Sequence, residues 1–480
     1  MSVESSVRAL RDKIDHPVVD GDGHVVESWP LFFRYLAKTG GPDLQERFLI
    51  EMKEHPIFST GNRETGEPRM PWWGTTTNTR DLATVMLPKL LYERVDELGL
   101  DFVILYPSLG LVLPTIQDEK VRRGALRALN TMNREITAPY QDRMTAVAMI
   151  PMHSPEEAVD EIEYVTGKLG MKVAVVPAGV TRPIPALHRE YPDAFPAAYY
   201  FDTYGIDSFH DYSPVWEAFQ KHKLAVSAHG APGNRYLPLP RKSTNYMFNH
   251  IMGHAYQQSE LCLSLVMAGV PARFPDLNWG FLEGGAGWAC DLLHGLHEHF
   301  EKRGAEGIQN YNPANIDPKV MQQLCDEYGK VDGDTVVPNR AGGDADPTTK
   351  VSQLDEFASS ALHDDHDLAV MFGQRFFFGC EADDRSVYRA VDAKGNALGV
   401  RLAPFFSSDI GHWDVPDIKE VLLESHQLVD EGLLTDADYR DFVFTNPARL
   451  HAEMNPSFFD GTPVESAAKE LLKTSSRAAT

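Results

Sequence analysis

The sequence predicts an α/β protein built as a (β/α)₈ TIM barrel with long helical and loop insertions. Eight short runs rich in β-branched or aromatic residues recur along the chain, and most are preceded by a stretch with helical periodicity. Alternation of helices with nearly continuous apolar strands indicates a parallel sheet that is buried on both faces. Eight such units favour a closed barrel, and an open doubly wound sheet is the alternative.

The eight candidate strands are VVDGDGHV (18–25), FVILYPS (102–108), TAVAMIPM (145–152), VAVVPA (173–178), LAVSAHG (224–230), NWGFLEGG (278–285), FFFGCEA (376–382) and LAPFFSSD (402–409). The helical stretches between them include VRRGALRALNTMNREI, SPEEAVDEIEYVTGKLG, SPVWEAFQKH and SELCLSLVMAGVPARFP. We expect one domain at 1–455, insertions at about 26–101, 179–217 and 286–375, and a C-terminal tail at 456–480.

Composition excludes several classes of function. The 480 residues include 69 acidic and 45 basic side chains, for a formal net charge of −24, which opposes binding to nucleic acid or to an anionic membrane. Four cysteines lie far apart without a CxxC pair, so neither a disulfide framework nor a thiolate zinc site is expected. With neither an export signal nor a run of about eighteen apolar residues, we expect a cytoplasmic protein that acts on a small molecule.

The first strand carries the clearest chemical signal. In VVDGDGHVVES, a strand period of two places Asp20, Asp22 and His24 on one side. Three polar side chains inside a barrel are costly unless something pairs them, and a divalent cation is the simplest partner. The alternative is a frayed strand with a solvated Asp-Gly turn.

Three further candidates close predicted strands, at the barrel face where catalytic groups are usually placed. They are His229 in LAVSAHG, Glu283 in NWGFLEGG and Asp409 in LAPFFSSD. Each could instead be an ordinary capping or hydrogen-bonding residue, and Glu283 could cap the following helix. Their occurrence together favours ligands or acid/base groups.

Other residues could reach the same pocket. Glu27 follows His24 closely, and His412 follows Asp409. His250 and His254 share a helical face, but the HExxH pattern is missing, so we expect His254 to line the pocket instead of forming a second metal site. Four aromatic residues could form walls around a substrate, namely Trp72, Trp73, Tyr106 and Trp288. The chain has no GxSxG elbow, no P-loop and no dinucleotide-binding turn.

The segments DGDGHVVES, AVSAHG, FLEGGAGW, SSDIGHWD and NPARLHAEMNP, in this order, resemble the amidohydrolase-related family, sometimes called amidohydrolase 2, which includes the aminocarboxymuconate-semialdehyde decarboxylase type. The resemblance covers roughly residues 16 to 455. It implies a metal at the C-terminal mouth of a barrel, and a hydrolase, hydratase or non-oxidative decarboxylase. It further implies a dimer or larger homo-oligomer.

Carried over residue by residue, the resemblance places the family's first-strand HxH pair on Asp22 and His24, its fifth-strand His on His229, and its eighth-strand Asp on Asp409. Two positions depart from the family pattern. Asp22 replaces the first His of the pair, and Glu283 replaces a sixth-strand His. Both changes exchange imidazole for carboxylate, which shifts the preference from zinc towards manganese or iron. Asp20 is then expected to support the ligands from behind.

Glu27, Glu283 and His412 add to the available ligands, so the site could hold one or two ions (Fe, Mn or Zn). The leading hypothesis is a hydrolase or related lyase that acts on a small organic acid, amide, ester or thioester, with Asp409 as base and Glu283 or His254 as acid. The second is a dinuclear iron or manganese/iron oxygenase. The third is a non-catalytic barrel partnered with a paralogous active subunit.

Overall fold

The computed structural model describes residues 3–53, 60–64, 67–69, 74–194, 199–230, 243–304, 306–336 and 350–478. A ring of parallel strands forms its centre, as the sequence predicts. In chain order these strands are β1 (Val19–Val25), β2 (Phe102–Pro107), β3 in two pieces (Met144–Ala146 and Ala148–Met149), β4 (Ala174–Pro177), β5 (Val226–His229), β6 (Trp279–Phe281), β7 (Phe376–Cys380) and β8 (Ala403–Phe406). Each strand pairs in parallel with the next.

The ring is closed by hydrogen bonds between β1 and the residues that follow β8. The Asp409 N–H donates to the Asp22 carbonyl at 3.1 Å, and the His24 N–H donates to the Ile410 carbonyl at 3.1 Å. Because an open sheet has two unpaired edges, this contact confirms the barrel and excludes the doubly wound alternative.

Helices surround the barrel, and five of them contain the four predicted helical stretches. The last stretch is split between two helices, Gly253–Met267 and Val270–Arg273, because Gly269 has a φ of 69° that ends the helical path. The helices are α1 (Val3–Arg11), α2 (Trp29–Lys53), α3 (Thr79–Met86), α4 (Pro88–Arg94), α5 (Glu119–Thr137), α6 (Pro155–Gly167), α7 (Pro185–Glu190), α8 (Ser213–Lys221), α9 (Tyr246–His250), α10 (Gly253–Met267), α11 (Val270–Arg273), α12 (Gly287–Arg303), α13 (Pro318–Tyr328), α14 (Asp365–Val370), α15 (Ser386–Val391), α16 (Val421–Asp430), α17 (Asp436–Arg440), α18 (Asn446–Ala452) and α19 (Glu465–Ala478).

The long connections carry structure of their own. The stretch after β1 holds α2 to α4 and a small antiparallel hairpin, and the stretch after β4 holds a second hairpin, Val180–Pro183 with Tyr199–Asp202. Between α12 and β7 lie α13, a third hairpin and α14. Among the helices that the structure describes, none is both long and apolar enough to cross a membrane.

The first strand does not keep a regular alternation. Asp20 lies opposite Val103, but Gly23 lies opposite Leu105, so β1 contains one extra residue between these positions. The bulge turns Asp22 and His24 towards the barrel axis and leaves Asp20 pointing the other way. The prediction that all three side chains share one side is therefore wrong, because a period of two does not hold across a bulge.

Gly21 precedes the turned part of β1 and is tightly enclosed. A Cβ at this position would lie 2.5 Å from the Phe405 ring and 3.2 Å from the Phe406 carbonyl. Gly21→Ala should therefore destabilise the fold by about 1–3 kcal/mol through overpacking. The matched control is Gly167→Ala at the exposed end of α6, where nothing lies within 4 Å. Urea unfolding monitored by circular dichroism measures both, and equal midpoints would contradict the expected difference.

His451 is buried in α18, against the Phe458 ring at a centroid distance of 4.8 Å. Burial, and then the charge of Lys172, lowers its pKa from 6.5 to about 3. Below pH 6.5 the unfolded chain binds a proton that the folded chain does not bind until about pH 3. The free energy of unfolding should therefore decrease as the pH falls through this window, by about 1.4 kcal/mol per pH unit for this group.

A His451→Phe variant removes this proton linkage. Its unfolding free energy minus that of the wild type should become more positive as the pH falls from 6.5 towards 4, in chemical denaturation series at several pH values. His363→Phe changes an exposed histidine and serves as the control. A difference that is independent of pH would show that His451 ionises normally in the folded protein.

Candidate metal centre

Polar side chains from four strands meet at the carboxyl end of the barrel. Asp22 and His24 come from β1, and His229 is the last residue of β5. Glu283 follows β6, and Asp409 follows β8. The side chains are buried, with at most 6% of any one exposed.

The ligand atoms form three overlapping groups. In each group, three atoms lie within 4.8 Å of one another. His24 and His229 each belong to two groups, so the three are continuous. The groups are Asp22 with His24 and His229, His24 with Asp409 and His412, and His229 with His254 and Glu283.

On the β1–β8 side, the atoms converge on the His24 imidazole. His24 Nε2 lies 3.5 Å from Asp22 Oδ1 and 3.4 Å from Asp409 Oδ1. His412 Nδ1 lies 2.7 Å from the same Asp409 oxygen, and its ring centroid is 3.9 Å from that of His24. One carboxylate thus connects two imidazoles.

On the β5–β6 side, Glu283 has the corresponding position. Its Oε2 lies 3.1 Å from His229 Nε2 and 3.4 Å from His254 Nδ1. His229 Nδ1 lies 2.6 Å from the Gly230 carbonyl. In the neutral imidazole, that contact places the ring proton on Nδ1 and leaves the Nε2 lone pair facing the centre, as in metal-binding histidines.

These residues suit a divalent cation. Several of their buried polar atoms make no hydrogen bond of good geometry with any described residue, and such atoms are costly in a folded protein. They are carboxylate oxygens and ring nitrogens with lone pairs, which are the donors that manganese, iron and zinc accept. The atoms concerned are Asp22 Oδ1, His24 Nε2, His229 Nε2, Glu283 Oε2 and both Asp409 oxygens.

The same environment perturbs the pKa values of these residues. Burial raises the pKa of Asp22 and of Asp409 well above the usual range, and burial lowers the pKa of His24 well below it. Burial also acts against the charged forms of Glu283 and His229, but their mutual contact outweighs it. The pKa of Glu283 lies well below its usual value, also because of His254, and that of His229 rises to about 9.

Two of the site residues have strained backbones. Glu283 has a φ of 53°, and Asp409 has a φ of 50°. The left-handed region is unfavourable for residues other than glycine, and it recurs at functional sites. The hydrogen bond from the Asp409 N–H to the Asp22 carbonyl stabilises this backbone conformation of Asp409.

Asp20 contacts the centre only through the backbone. Its Oδ1 accepts hydrogen bonds from the Ser408 N–H at 2.9 Å and the Asp22 N–H at 3.3 Å, and its Oδ2 accepts from the Ser408 hydroxyl. Burial raises the pKa of Asp20 to about 6. The side chain thereby ties the bulge of β1 to the residue that precedes Asp409.

Glu27 lies outside the three ligand groups. Its carboxylate accepts hydrogen bonds from the Leu109 N–H at 2.8 Å and from the Asn133 amide at 3.0 Å. Burial raises its pKa to about 7. The structure therefore places this predicted ligand at the pocket wall, where it holds a loop.

Neither Tyr106 nor Trp288 forms a substrate wall as predicted. Tyr106 is fully buried beneath the centre, and its hydroxyl donates to Ser227 Oγ at 3.1 Å across the barrel. The Trp288 ring packs against Phe281 and Phe378 in the core. Both predictions are corrected, because strand register and helix packing turn these rings inward. Trp72 and Trp73 lie outside the described residues.

A pocket of about 260 Å³ opens above the centre. His254, Glu283 and His412 lie at its base, and its walls are largely apolar or aromatic. The sequence analysis did not identify several of the lining residues. Asp414 could have been found, because it lies in the same GHWD turn as His412. His250 was considered only as a zinc ligand. Other residues that line this pocket are Val26, Trp29, Leu109, Leu111, Val112, Tyr246 and Trp413.

Comparison with known proteins agrees with this architecture. A family model described as amidohydrolase matches residues 109–330, which confirms the predicted resemblance. The span includes His229, His254 and Glu283. No curated protein matches the chain in sequence.

Solved structures are similar to this chain at low sequence identity. An amidohydrolase from Mycobacterium avium subsp. paratuberculosis K-10 is 14% identical, with a TM-score of 0.51 over 91% of this chain and 99% of that chain. A 2,6-dihydroxybenzoate decarboxylase from Rhizobium is 16% identical, with a TM-score of 0.47 over 91% and 98%. A 5-carboxyvanillate decarboxylase from Novosphingobium aromaticivorans, solved with bound manganese, is 12% identical, with a TM-score of 0.49 over 91% and 97%.

An Asp409→Asn variant tests whether this cluster is organised for a cation. Asparagine tolerates a positive φ and removes a buried charge, so the metal-free variant should be more stable than the metal-free wild type by about 1 kcal/mol or more. Added Mn²⁺ should raise the melting temperature of the wild type far more than that of the variant. Differential scanning fluorimetry measures both effects, with the exposed Asp15→Asn as control. An equal response to Mn²⁺ would exclude Asp409 as a ligand.

Proposed function

We propose that this amidohydrolase-type barrel is a metal-dependent hydrolase, or a related lyase, that acts on a small organic acid, amide, ester or thioester. One observation carries the proposal: unsatisfied carboxylate and imidazole atoms are buried together at the base of a pocket that is open to a small molecule. Asp22, His24, His229 and Asp409 are the proposed ligands. A cation would offset the cost of burying such a cluster, and a cation below a pocket is typical of catalysis.

When bound, a divalent cation would lower the pKa of a coordinated water towards neutrality and polarise a substrate oxygen. The proposed base is Asp409, whose carboxylate oxygens make no hydrogen bond of good geometry with a described residue. His412, 2.7 Å from Asp409 Oδ1, can take the proton on, and Ser108 Oγ lies 3.5 Å from its other nitrogen. These contacts form a path for the proton from Asp409 to Ser108 at the pocket wall.

The acid for the leaving group would come from the opposite side of the pocket. Glu283 Oε2 and His254 Nδ1 lie 3.4 Å apart, so a proton that His254 takes up would be held beside this carboxylate. If Glu283 is itself a ligand, His254 keeps the proton and delivers it. Hydrolysis and decarboxylation both need a proton at this point, which is why the arrangement serves either reaction.

A second candidate function follows from the extent of the cluster. The group of Asp409 and His412 and the group of Glu283 and His254 lie at opposite ends, joined through His24 and His229. Two ions could therefore be held, and carboxylate-rich sites suit iron and manganese. A dinuclear iron or manganese/iron oxygenase is the alternative that this observation supports.

Metal content separates the two candidates. Protein purified without added metal should contain one or two equivalents of Mn, Fe or Zn by inductively coupled plasma mass spectrometry, and removal with a chelator should abolish turnover. One zinc per chain would contradict the oxygenase. About two equivalents of iron, with dioxygen consumed during turnover, would favour the oxygenase over the hydrolase.

Asp409→Asn should lower turnover about a hundredfold or more, since general base catalysis contributes about 10²–10⁴. The measurement is hydrolysis of a panel of p-nitrophenyl esters and acyl thioesters by the metal-loaded protein. Asp15→Asn makes the same chemical change at an exposed position and should keep full activity. If Asp409→Asn stays near the activity of the wild type, Asp409 is not the base.

A further inference from the structure

A second cavity, of about 350 Å³, reaches the metal centre from another side. We refer to it as the acidic side cavity. It shares His250, His254 and Glu283 with the substrate pocket, so the two cavities meet at the β5–β6 side of the centre. Its other lining residues are Ile251, Met252, Ala255, Gly284, Gly285, Glu381, Asp383 and Asp384.

The two cavities differ in how their carboxylates are partnered. Four acidic residues line the acidic side cavity, and none of its described lining residues is Lys or Arg. Besides Glu283, the substrate pocket is lined by Glu27 and Asp414, but Glu27 accepts two hydrogen bonds and Asp414 Oδ2 lies 3.7 Å from His250 Nε2. The remaining walls of that pocket are mainly apolar and aromatic. A cleft lined by one sign of charge with low-dielectric walls concentrates counter-ions and raises their rate of association. The acidic side cavity is thus suited to a cation, and the substrate pocket to an apolar group.

Glu381 is the residue in this cavity that most lacks a partner. Among the described residues, its side chain has neither a hydrogen bond nor an ion pair, whereas Asp384 accepts from the Ser386 N–H at 2.7 Å and the Ser386 hydroxyl at 2.8 Å. Burial raises the pKa of Glu381 to about 8, and so do the charges of Asp414, Glu283, Asp383 and Asp384. An approaching cation offsets this burial and repulsion, so it favours the ionised form of Glu381, which can then bind it.

Glu283 forms the inner end of the same cavity. Its side chain is 6% exposed, and its Oε2, which makes no hydrogen bond with a described residue, belongs to the ligand group with His229 and His254. A cation that leaves Glu381 can therefore be received by a carboxylate that belongs to the centre itself.

We propose that the acidic side cavity is the route by which the divalent cation reaches the centre, with Glu381 as a transient ligand on the way. The inference rests on the proposed function only in requiring that the centre binds a metal ion. It assigns entry of the ion and entry of the substrate to two different openings.

The test measures the rate of metal association with the full-length chain after removal of metal by a chelator. Mn²⁺ is mixed with the protein in a stopped-flow instrument, and a fluorescent indicator reports free ion. In Glu381→Gln/Asp383→Asn the association rate constant should fall about three- to tenfold and depend less on salt, while the bound metal at saturation stays the same.

The control is Asp326→Asn/Glu327→Gln, which makes the same two chemical changes in α13, outside both cavities. It should leave the association rate unchanged. A second pair avoids any question of folding, because both positions are exposed: Ile251→Lys adds a positive charge at the cavity and should slow association, whereas Leu263→Lys on the neighbouring helix should not.

The outcomes separate the route from the function. If the wild type binds Mn²⁺ and every variant associates at its rate, the route is wrong and the metal centre stands. If the wild type binds neither Mn²⁺ nor Zn²⁺, the proposed function and the route fail together. Slower association confined to Glu381→Gln/Asp383→Asn and Ile251→Lys is the result expected for the route.

Discussion

Mutual repulsion and burial of three carboxylates at the end of the barrel determine much of the surrounding structure. Asp22, Glu283 and Asp409 are held among imidazoles, and none of them pairs with a Lys or Arg among the described residues. Taking such groups out of water costs several kcal/mol each unless a counter-charge compensates. The chain therefore fixes the centre from outside, through Asp20 on one side and backbone contacts at Asp409 on the other.

The bulge in β1 shows which part of this arrangement a sequence can predict. The eight strands and the residues that end them follow from local patterns, and the structure has them at the predicted places. The direction of Asp22 and His24 does not follow from such patterns, since it depends on the register against β2 and on a hydrogen bond from Ser408 to Asp20, 388 positions apart. The alternation of polar and apolar residues in the sequence of β1 does not show whether the strand contains a bulge.

The pocket walls were harder to predict than its base. Ligand types at strand ends are few and chemically distinctive, whereas Tyr106 and Trp288 have side chains that suit a core and a pocket equally. Their positions were decided by contacts with Ser227 and with Phe281, which no local pattern contains. Asp414 could have been predicted as a pocket residue by the same argument as His412, because both lie in the turn after β8.

The proposed separation of the two openings has a physical reason. A divalent cation crosses an apolar opening only by carrying its hydration shell or by losing it without compensation, and both are costly in a narrow pocket. Carboxylates at Glu381 and then Glu283 can replace water ligands one at a time, so the ion is never bare. Apolar walls around the substrate pocket can then be selected for the substrate alone, because the ion does not have to pass between them.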